Sequence, residues 1–174
     1  MNKNIALVGF MGSGKSTVAK LLAEKSGRKL VSTDELIIDR ERMEITDIFS
    51  IKGEKYFRNV EEDVVFEVSR GEGLVIDCGG GVVLREQNIN NLRYNGTIVY
   101  LKTSSQAIYR RIKDQSHRPL LNVENPKVKI AELLIERASF YEKADLTVDT
   151  DGKSVEKVVE EIIKAISHES SNRQ

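Results

Sequence analysis

The sequence contains little cysteine and histidine, and it has no excess of charge of either sign. Among its 174 residues there is one cysteine, Cys78, and there are two histidines, which excludes an intrachain disulfide and a zinc cluster of ordinary ligand spacing. Lysine plus arginine and aspartate plus glutamate both number 27, so the formal net charge is zero. A neutral chain has no overall field to attract duplex DNA, and we expect no nucleic-acid partner.

Long apolar runs are also missing. The longest are a handful of residues, well short of the roughly 18 that span a bilayer. The apolar run 5–11 leads into Gly-Ser-Gly-Lys rather than into a signal-cleavage site. We therefore expect no membrane association and a cytoplasmic location, which fits the lone cysteine. The length and the 40% hydrophobic content predict one folded domain, residues 1–166, as a monomer.

Apolar patterns of strand and helix type alternate along the chain. Strands are predicted at 3–9, 29–32, 74–77, 97–101 and 146–148. Helices are predicted at 15–25, within 34–43 and 46–70, and at 86–93, 105–112, 125–143 and 155–166. This alternation predicts an α/β fold in which a parallel sheet of about five strands lies between helical layers. The polar, aperiodic segment 113–125 is interpreted as a mobile lid, and we expect the tail 167–174 to fray.

The segment Gly9–Ser16 reads GFMGSGKS and matches the phosphate-loop pattern between a strand and a helix. Its glycines let backbone N–H groups turn inward, and the N-terminus of the next helix favours phosphate oxygens. In this pattern Lys15 reaches the β- and γ-phosphates, while Ser16 offers a hydroxyl to Mg²⁺. The expected contacts of the nucleotide in the loop are Gly12, Ser13, Gly14, Lys15 and Ser16. The motif predicts ATP and Mg²⁺ as cofactors.

Binding a nucleoside triphosphate does not by itself define a function, because phosphate-loop proteins include switches, motors and small-molecule kinases. A GTP-binding switch should carry Asn-Lys-x-Asp late in the chain. The nearest segment, 142–145, reads Glu-Lys-Ala-Asp and lacks the asparagine, which weakens the switch interpretation.

Carboxylates and glycines follow the predicted second and third strands. Asp77 ends an apolar strand, the position from which phosphate-loop enzymes present a carboxylate to the metal, although a helix cap or a loop acceptor is the alternative. Gly79–Gly81 leaves bare backbone beside the nucleotide, or else forms a flexible turn. Asp34 could cap a helix or accept the proton of an alcohol that attacks the γ-phosphate.

Three arginines are candidates for binding anions. Arg58 precedes Glu61 and Glu62 by three and four residues, so a simple surface ion pair is the alternative. Arg118 lies in the predicted lid, where it would reach the phosphates on closure. Arg137 lies in the predicted helix 125–143.

Together these residues resemble one family, the shikimate kinases, which are small phosphate-loop kinases related in fold to nucleoside monophosphate kinases. The similarity extends over about residues 1–165. It is carried by Gly9–Thr17, Thr33-Asp34, Gly53-Glu54, Phe57-Arg58, Glu61-Glu62, Gly79–Gly81, Arg118-Pro119-Leu120-Leu121, Arg137 with Tyr141, and Val148-Asp149-Thr150. The phosphate loop is shared by many families, but this order and spacing of the other motifs is far more selective.

The resemblance implies a three-layer P-loop kinase fold and transfer of the γ-phosphoryl of ATP to the 3-hydroxyl of shikimate. It implies that Arg58 and Arg137 clamp the substrate carboxylate and that Asp34 holds the attacking hydroxyl. On the acceptor side it implies a pocket lined by Gly79, Gly80 and Gly81 and surrounded by helices within 34–70. On the nucleotide side it implies Thr17 and Arg118 at the phosphates and Arg111 beside the adenine.

The sequence departs from the family pattern at three positions. Ser32 stands where the family commonly has an aspartate that helps to hold the waters of magnesium, and Asp77 stands where many members have an uncharged residue. We hypothesise that the metal-side carboxylate has moved from the second strand to the third. Ser139 replaces a frequent proline after Arg137.

Three alternatives for the function remain. They are a kinase for another small hydroxylated or nucleotide acceptor, a non-catalytic ATP-binding regulator, and a GTP switch.

Overall fold

The computed structural model describes residues 3–113 and 123–171. Its five strands are β1 Asn4–Val8, β2 Lys29–Ser32, β3 Leu74–Asp77, β4 Gly96–Lys102 and β5 Leu146–Asp149. All neighbours are parallel, and the order across the sheet is β2-β3-β1-β4-β5. Every residue of β1 is buried because helices cover both faces of the sheet. The predicted parallel sheet of five strands is confirmed.

Helices form a layer on each face of the sheet. They are α1 Lys15–Ser26, α2 Thr33–Glu41, α3 Ile45–Asp47, α4 Glu54–Ser69, α5 Glu86–Tyr94, α6 Ser105–Ile112, α7 Pro126–Tyr141 and α8 Val155–Ser171. One apolar core packs α1 and α8 against the sheet, and a second packs residues of α4, α5, α6 and α7 against the opposite face. This arrangement confirms the three-layer fold. Among the described residues, no helix is long and apolar enough to cross a membrane.

The segment 46–70, within which helix was predicted, is not continuous: the structure divides it into α3, a π-helical turn at Ile48–Lys52, and α4. The break lies at Gly53, whose φ of 83° is outside the helical region and unfavourable for a residue with a side chain. A separate apolar cluster then joins α2, the turn and α4, with Ile37, Ile48 and Phe57 at its centre. The break therefore lets α4 fold back against α2 beside the edge strand β2.

The end of the chain also differs from the prediction. The last helix was expected to end at Ile166, but α8 continues to Ser171, and the other residues of the tail predicted to fray, 172–174, lie outside the described residues. The added turn continues a helix that buries Val158, Val159 and Ile162, and the Ser167 hydroxyl donates to the carbonyl of Ile163 at 2.9 Å. Of the predicted lid 113–125, residues 114–122 lie outside the described residues.

The order of the strands determines where a ligand can bind. Strand β1 lies between β3 and β4, so the chain leaves its carboxyl end towards α1 at the point where the crossover direction reverses. Parallel sheets bind ligands in the crevice outside this edge. The phosphate loop after β1, the α2 start after β2 and the glycines after β3 all meet there.

Candidate active site

The phosphate loop joins β1 to α1 and is held by its own lysine. Lys15 is 9% exposed, and its Nζ donates to the carbonyl oxygens of Gly9 at 2.8 Å and Phe10 at 3.1 Å. Gly12 and Gly14 have φ values of 77° and 94°, which the tight turn requires. No acidic residue lies in the first turn of α1, so the positive end of the helix dipole remains available to an anion.

A cleft of about 520 Å³ opens in front of this loop. It is lined by Met11, Gly12, Gly14, Lys15, Ser16, Thr17, Ser32, Asp34, Asp77, Cys78, Gly80, Arg111 and Ile112. The structure thus brings most of the predicted phosphate-side residues to one cavity. Of the predicted acceptor-side residues, Asp34 and Gly80 line the same cleft, whereas Arg58, Gly79, Gly81 and Arg137 are not among its lining residues.

Asp77 lies at the end of β3, directly opposite Ser32 at the end of β2. The Asp77 side chain is largely buried, which raises the pKa of its carboxyl group, while a hydrogen bond from the hydroxyl of Ser16 and the charge of Lys15 lower it. Ser32 is the N-cap of α2, and its Oγ accepts from the backbone N–H of Glu35 at 3.3 Å. The cap predicted as one alternative for Asp34 therefore belongs to Ser32.

Asp34 is in the first turn of α2, and its carboxylate faces the third-strand glycines. A Cβ placed on Gly79 would lie 2.6 Å from Asp34 Oδ1, so only glycine fits there. Burial raises the pKa of Asp34, and so does the charge of Asp77, whereas Lys15 and Arg58 lower it. A carboxylate between two cations and next to the phosphate loop is suited to receive or orient a proton.

Arg58 extends from α4 over the glycine turn. Its Nη1 donates to Glu61 Oε2 at 2.7 Å, and its Nε and Nη2 lie 3.3 Å from Glu54 Oε1. The Arg58 side chain is 13% exposed and that of Glu61 is 1% exposed, so this pair is not the surface pair with Glu61 and Glu62 considered above. The guanidinium occupies the space that a Cβ on Gly81 would need.

Glu61 is an anchor for Arg58 inside the protein. Burial raises the pKa of its carboxyl group, and the charge and hydrogen bond of Arg58 lower it. Its Oε1 has no hydrogen-bond partner among the described residues. That buried oxygen lies 3.2 Å from the position of a Cβ on Gly79, so it faces the glycine turn.

Arg137 extends from α7 towards the turn and is 9% exposed. Its guanidinium donates to the hydroxyl of Tyr141, lies 5.7 Å from the ring centre of Phe10, and leaves Nε without a partner among the described residues. The Tyr141 hydroxyl in turn donates to the carbonyl of Gly80 at 2.8 Å. Burial raises the pKa of Tyr141 to about 12.

Arg58 and Arg137 therefore converge on the same three glycines from different helices. Arg58 lies on Gly81, and Arg137 is tied through Tyr141 to Gly80. Two cations beside this turn, with Asp34 close to Arg58 and to Lys15 of the phosphate loop, form an arrangement suited to a small carboxylate that carries a hydroxyl. The turn Gly79–Gly81 is held by contacts with Thr33, Tyr141 and Arg58.

Arg111 lies at the end of α6 and binds the outer side of the phosphate loop. Its Nη1 donates to the carbonyls of Gly12 at 3.3 Å and Ser13 at 2.9 Å. It also borders a second depression of about 280 Å³ formed with Asp151 and Gly152. Arg118 lies outside the described residues.

Two contacts of this site were not expected from the sequence. Thr33 is fully buried, and its hydroxyl bonds to backbone groups of Asp77 and Gly79. Tyr141 holds Gly80 and Arg137 together. Both residues are among the motif positions that carry the resemblance, Thr33-Asp34 and Arg137 with Tyr141, but their contacts were not predicted, since long-range partners of a hydroxyl do not appear in a local pattern.

Comparison with known proteins agrees with this geometry. The family model described as shikimate kinase matches residues 11–167. A curated shikimate kinase of Thermodesulfovibrio yellowstonii is 46% identical over 98% of this chain and 99% of its own length. One of Caldanaerobacter subterraneus subsp. tengcongensis is 46% identical over 94% of this chain and 95% of its own.

Solved structures give the same result. The shikimate kinase from Acinetobacter baumannii in complex with shikimate has a TM-score of 0.91 at 36% identity and covers 96% of this chain and 94% of that one. A gluconokinase from Sinorhizobium meliloti, at 17% identity and a TM-score of 0.61, shares the fold alone. The match in sequence extends over the phosphate loop, the glycine turn and both arginines. The chain therefore belongs to the shikimate kinase family.

Proposed function

We propose that this chain transfers the γ-phosphoryl group of ATP to the 3-hydroxyl of shikimate, a step of aromatic amino-acid (chorismate) biosynthesis. One observation carries the proposal: Asp34 lies between the lysine of a phosphate loop and a glycine turn on which two arginines converge. Shikimate is a small carboxylate with hydroxyl groups, which is the chemistry that such a pocket accepts. The likeness to the shikimate-bound relative supports this choice of acceptor.

On the phosphate side, Lys15 and the N–H groups of Gly12, Ser13 and Gly14 bind the β- and γ-phosphates, with Thr17 beside them. Phosphoryl transfer passes through a loose transition state, so the protein mainly has to align the groups and neutralise charge. Lys15 already lies in the cleft and needs only to exchange its carbonyl contacts for phosphate oxygens.

The residues present fit a magnesium ion. The Ser16 hydroxyl and the Asp77 carboxylate are hard oxygen donors that meet in the cleft, and they would hold the ion. The described residues contain no group of three or more His, Cys, Asp and Glu able to hold a metal ion, and Mg²⁺ ordinarily takes one or two carboxylates plus phosphate and water. When bound, Mg²⁺ neutralises charge on the phosphates. Asp77 supplies the carboxylate that Ser32 does not.

On the acceptor side, Arg58 and Arg137 bind the carboxylate of shikimate, and Gly79, Gly80 and Gly81 leave room for its ring. Glu61 fixes the direction of Arg58 and keeps its charge partly compensated in the buried wall. Asp34 accepts a hydrogen bond from the 3-hydroxyl, aims its oxygen at the γ-phosphorus, and takes its proton as the new bond forms. The raised pKa of Asp34 makes it a better proton acceptor than an exposed aspartate.

The other predicted parts complete the proposal. Arg118 closes over the phosphates from the lid 113–125, and Arg111 lies beside the adenine at the depression near Asp151. The chain acts as a single domain and a monomer in the cytoplasm, where ATP is available and the free thiol of Cys78 stays reduced.

The test is release of ADP from ATP and Mg²⁺ with and without shikimate, with phosphorylated product identified by phosphorus NMR. We expect release that depends strongly on shikimate, and little with gluconate or a nucleoside monophosphate. Turnover with another acceptor instead would make this a different small-molecule kinase. Tight ATP binding without turnover would make it a regulatory relative, and preference for GTP would favour a switch.

A further inference from the structure

The hydroxyl of Thr33 occupies the place where the pairing of β2 with β3 would continue. The last paired residues are Ser32 and Asp77, after which the chain turns into α2. In a parallel sheet, a residue opposite Cys78 would donate its N–H to the carbonyl of Asp77 and accept from the N–H of Gly79. The Thr33 hydroxyl makes both bonds with its side chain: its Oγ1 is 3.0 Å from Gly79 N and 3.4 Å from the oxygen of Asp77.

The backbone carbonyl of Thr33 is not available to accept from the N–H of Gly79, because Thr33 is the first residue of α2 and its carbonyl belongs to the helix. The side chain is fully buried, so without the hydroxyl the two backbone groups would lack a partner inside the protein. Among the residues that the structure describes, the hydroxyl is therefore the strand-like link between the start of α2 and the turn after β3.

This link joins the two parts that must act together on the acceptor. Asp34 follows Thr33 directly and faces Gly79, while Gly80 and Gly81 carry the contacts of Tyr141 and Arg58. The distance from Asp34 to the glycine turn thus depends on the Thr33 hydroxyl, which belongs neither to the proton acceptor nor to the glycines. We propose that Thr33 is a positioning residue, whose hydroxyl holds Asp34 at the right distance from the glycine turn and so aligns the acceptor hydroxyl for transfer.

The inference rests on the proposed function, and its test uses three variants of the full chain. Thr33→Val keeps the shape and removes the hydroxyl, and Thr33→Ser keeps the hydroxyl. Thr150→Val is the control: it removes another buried threonine hydroxyl, at the other edge of the sheet, whose oxygen lies 2.6 Å from the hydroxyl oxygen of Thr103. Each is measured for kcat, KM for shikimate, KM for ATP and melting temperature.

We expect Thr33→Val to lower kcat/KM for shikimate about 10- to 100-fold, with kcat reduced and KM for ATP within about twofold. Thr33→Ser should retain most of the activity. Thr150→Val should lose stability without raising KM for shikimate. A role confined to stability predicts a lower melting temperature with unchanged acceptor kinetics.

The inference is overturned if Thr33→Val keeps the acceptor kinetics of the parent, if Thr33→Ser loses as much as Thr33→Val, or if ATP and shikimate are affected equally. If Thr33→Val is insoluble, Thr33→Ala is measured in the same way, and parent-like acceptor kinetics there would also overturn it. Failure of the proposed function would look different, because the parent chain itself would show no shikimate-dependent release of ADP.

Discussion

The phosphate side of the cleft is made largely of backbone groups from one continuous segment, whereas the acceptor side is assembled from side chains on separate elements. Gly9–Ser16 carries the first side almost alone. The second needs Asp34 from α2, Arg58 and Glu61 from α4, and Arg137 from α7, all meeting at the turn after β3.

The two sides also differ in what holds them. The loop is fixed by local turns and by a lysine that bonds to the carbonyls of its own segment. The acceptor wall contains buried ionisable groups whose pKa values are raised by burial, Asp34 and Glu61, and orphan polar atoms on Glu61 and Arg137. The phosphate side shows the same features, since burial also raises the pKa of Asp77 and Ser13 Oγ has no hydrogen-bond partner among the described residues. The two sides therefore differ mainly in whether their contacts come from one segment or from several elements.

The largest effect that separates the two sides is expected from Asp34→Asn. The amide keeps the shape but accepts no proton, so kcat should fall about 10²- to 10⁴-fold, with a much smaller change in KM for shikimate. KM for ATP should stay near that of the parent chain. Steady-state kinetics with each substrate varied would check this, and equal changes in kcat and KM would assign Asp34 to binding alone.

A smaller effect, on the phosphate side, is expected from Asp77→Ala. Loss of the carboxylate beside Ser16 should lower turnover with Mg²⁺ about 10- to 100-fold and weaken the effect of Mg²⁺ on ATP affinity, measured by calorimetry. Ser32→Asp in the same chain should restore part of both, because the two positions are opposite one another. Parent-like values in Asp77→Ala would discard the idea that the carboxylate has moved.

The features that the sequence alone predicted also differ between the two sides of the cleft. The β/α alternation predicted all five strands, and the loop motif predicted Lys15 and Ser16, because these signals are local. Helix was predicted within 46–70, but the break at Gly53 was not predicted, since only the backbone angle of this glycine marks it. The link made by Thr33 joins residues 44 and 46 positions apart in the chain, and no local pattern encodes it.

The role of the acceptor wall can be tested further by separating its buried ion pair, Arg58 with Glu61. Arg58→Met should raise KM for shikimate roughly 10- to 100-fold, the loss expected for a charged hydrogen bond. It should also destabilise the fold by about 3–5 kcal/mol, because Glu61 is left charged and buried. Adding Glu61→Gln should recover part of the stability but not the binding. Independent, additive effects in this double-mutant cycle, measured by denaturant unfolding, would contradict the pairing.

A milder consequence concerns pH and stability. Because the folded-state pKa of Asp34 is raised, the folded form holds the proton more tightly, so stability falls as pH rises from the unfolded pKa through the folded one. At pH 7 the ionised group therefore costs stability that Asp34→Asn regains, raising the melting temperature roughly 2–4 °C per kcal/mol. Scans from pH 3 to pH 8 should show the gain shrink at low pH, and a gain independent of pH would contradict the assignment.

The smallest effect is expected from Ser32→Ala, because Ser32 lines the cleft but contacts neither substrate in the proposed mechanism. Ser32→Ala removes the cap that accepts from Glu35 N, and it should cost about 1 kcal/mol of unfolding free energy. Since Asp77, not Ser32, carries the metal-side charge, kcat and both KM values should change less than about threefold. Ser32→Asp keeps a capping oxygen and is the matched control for stability. A large loss of kcat in Ser32→Ala, with stability intact, would instead place the serine hydroxyl in the phosphate machinery and make the division between the two sides less sharp than the structure indicates.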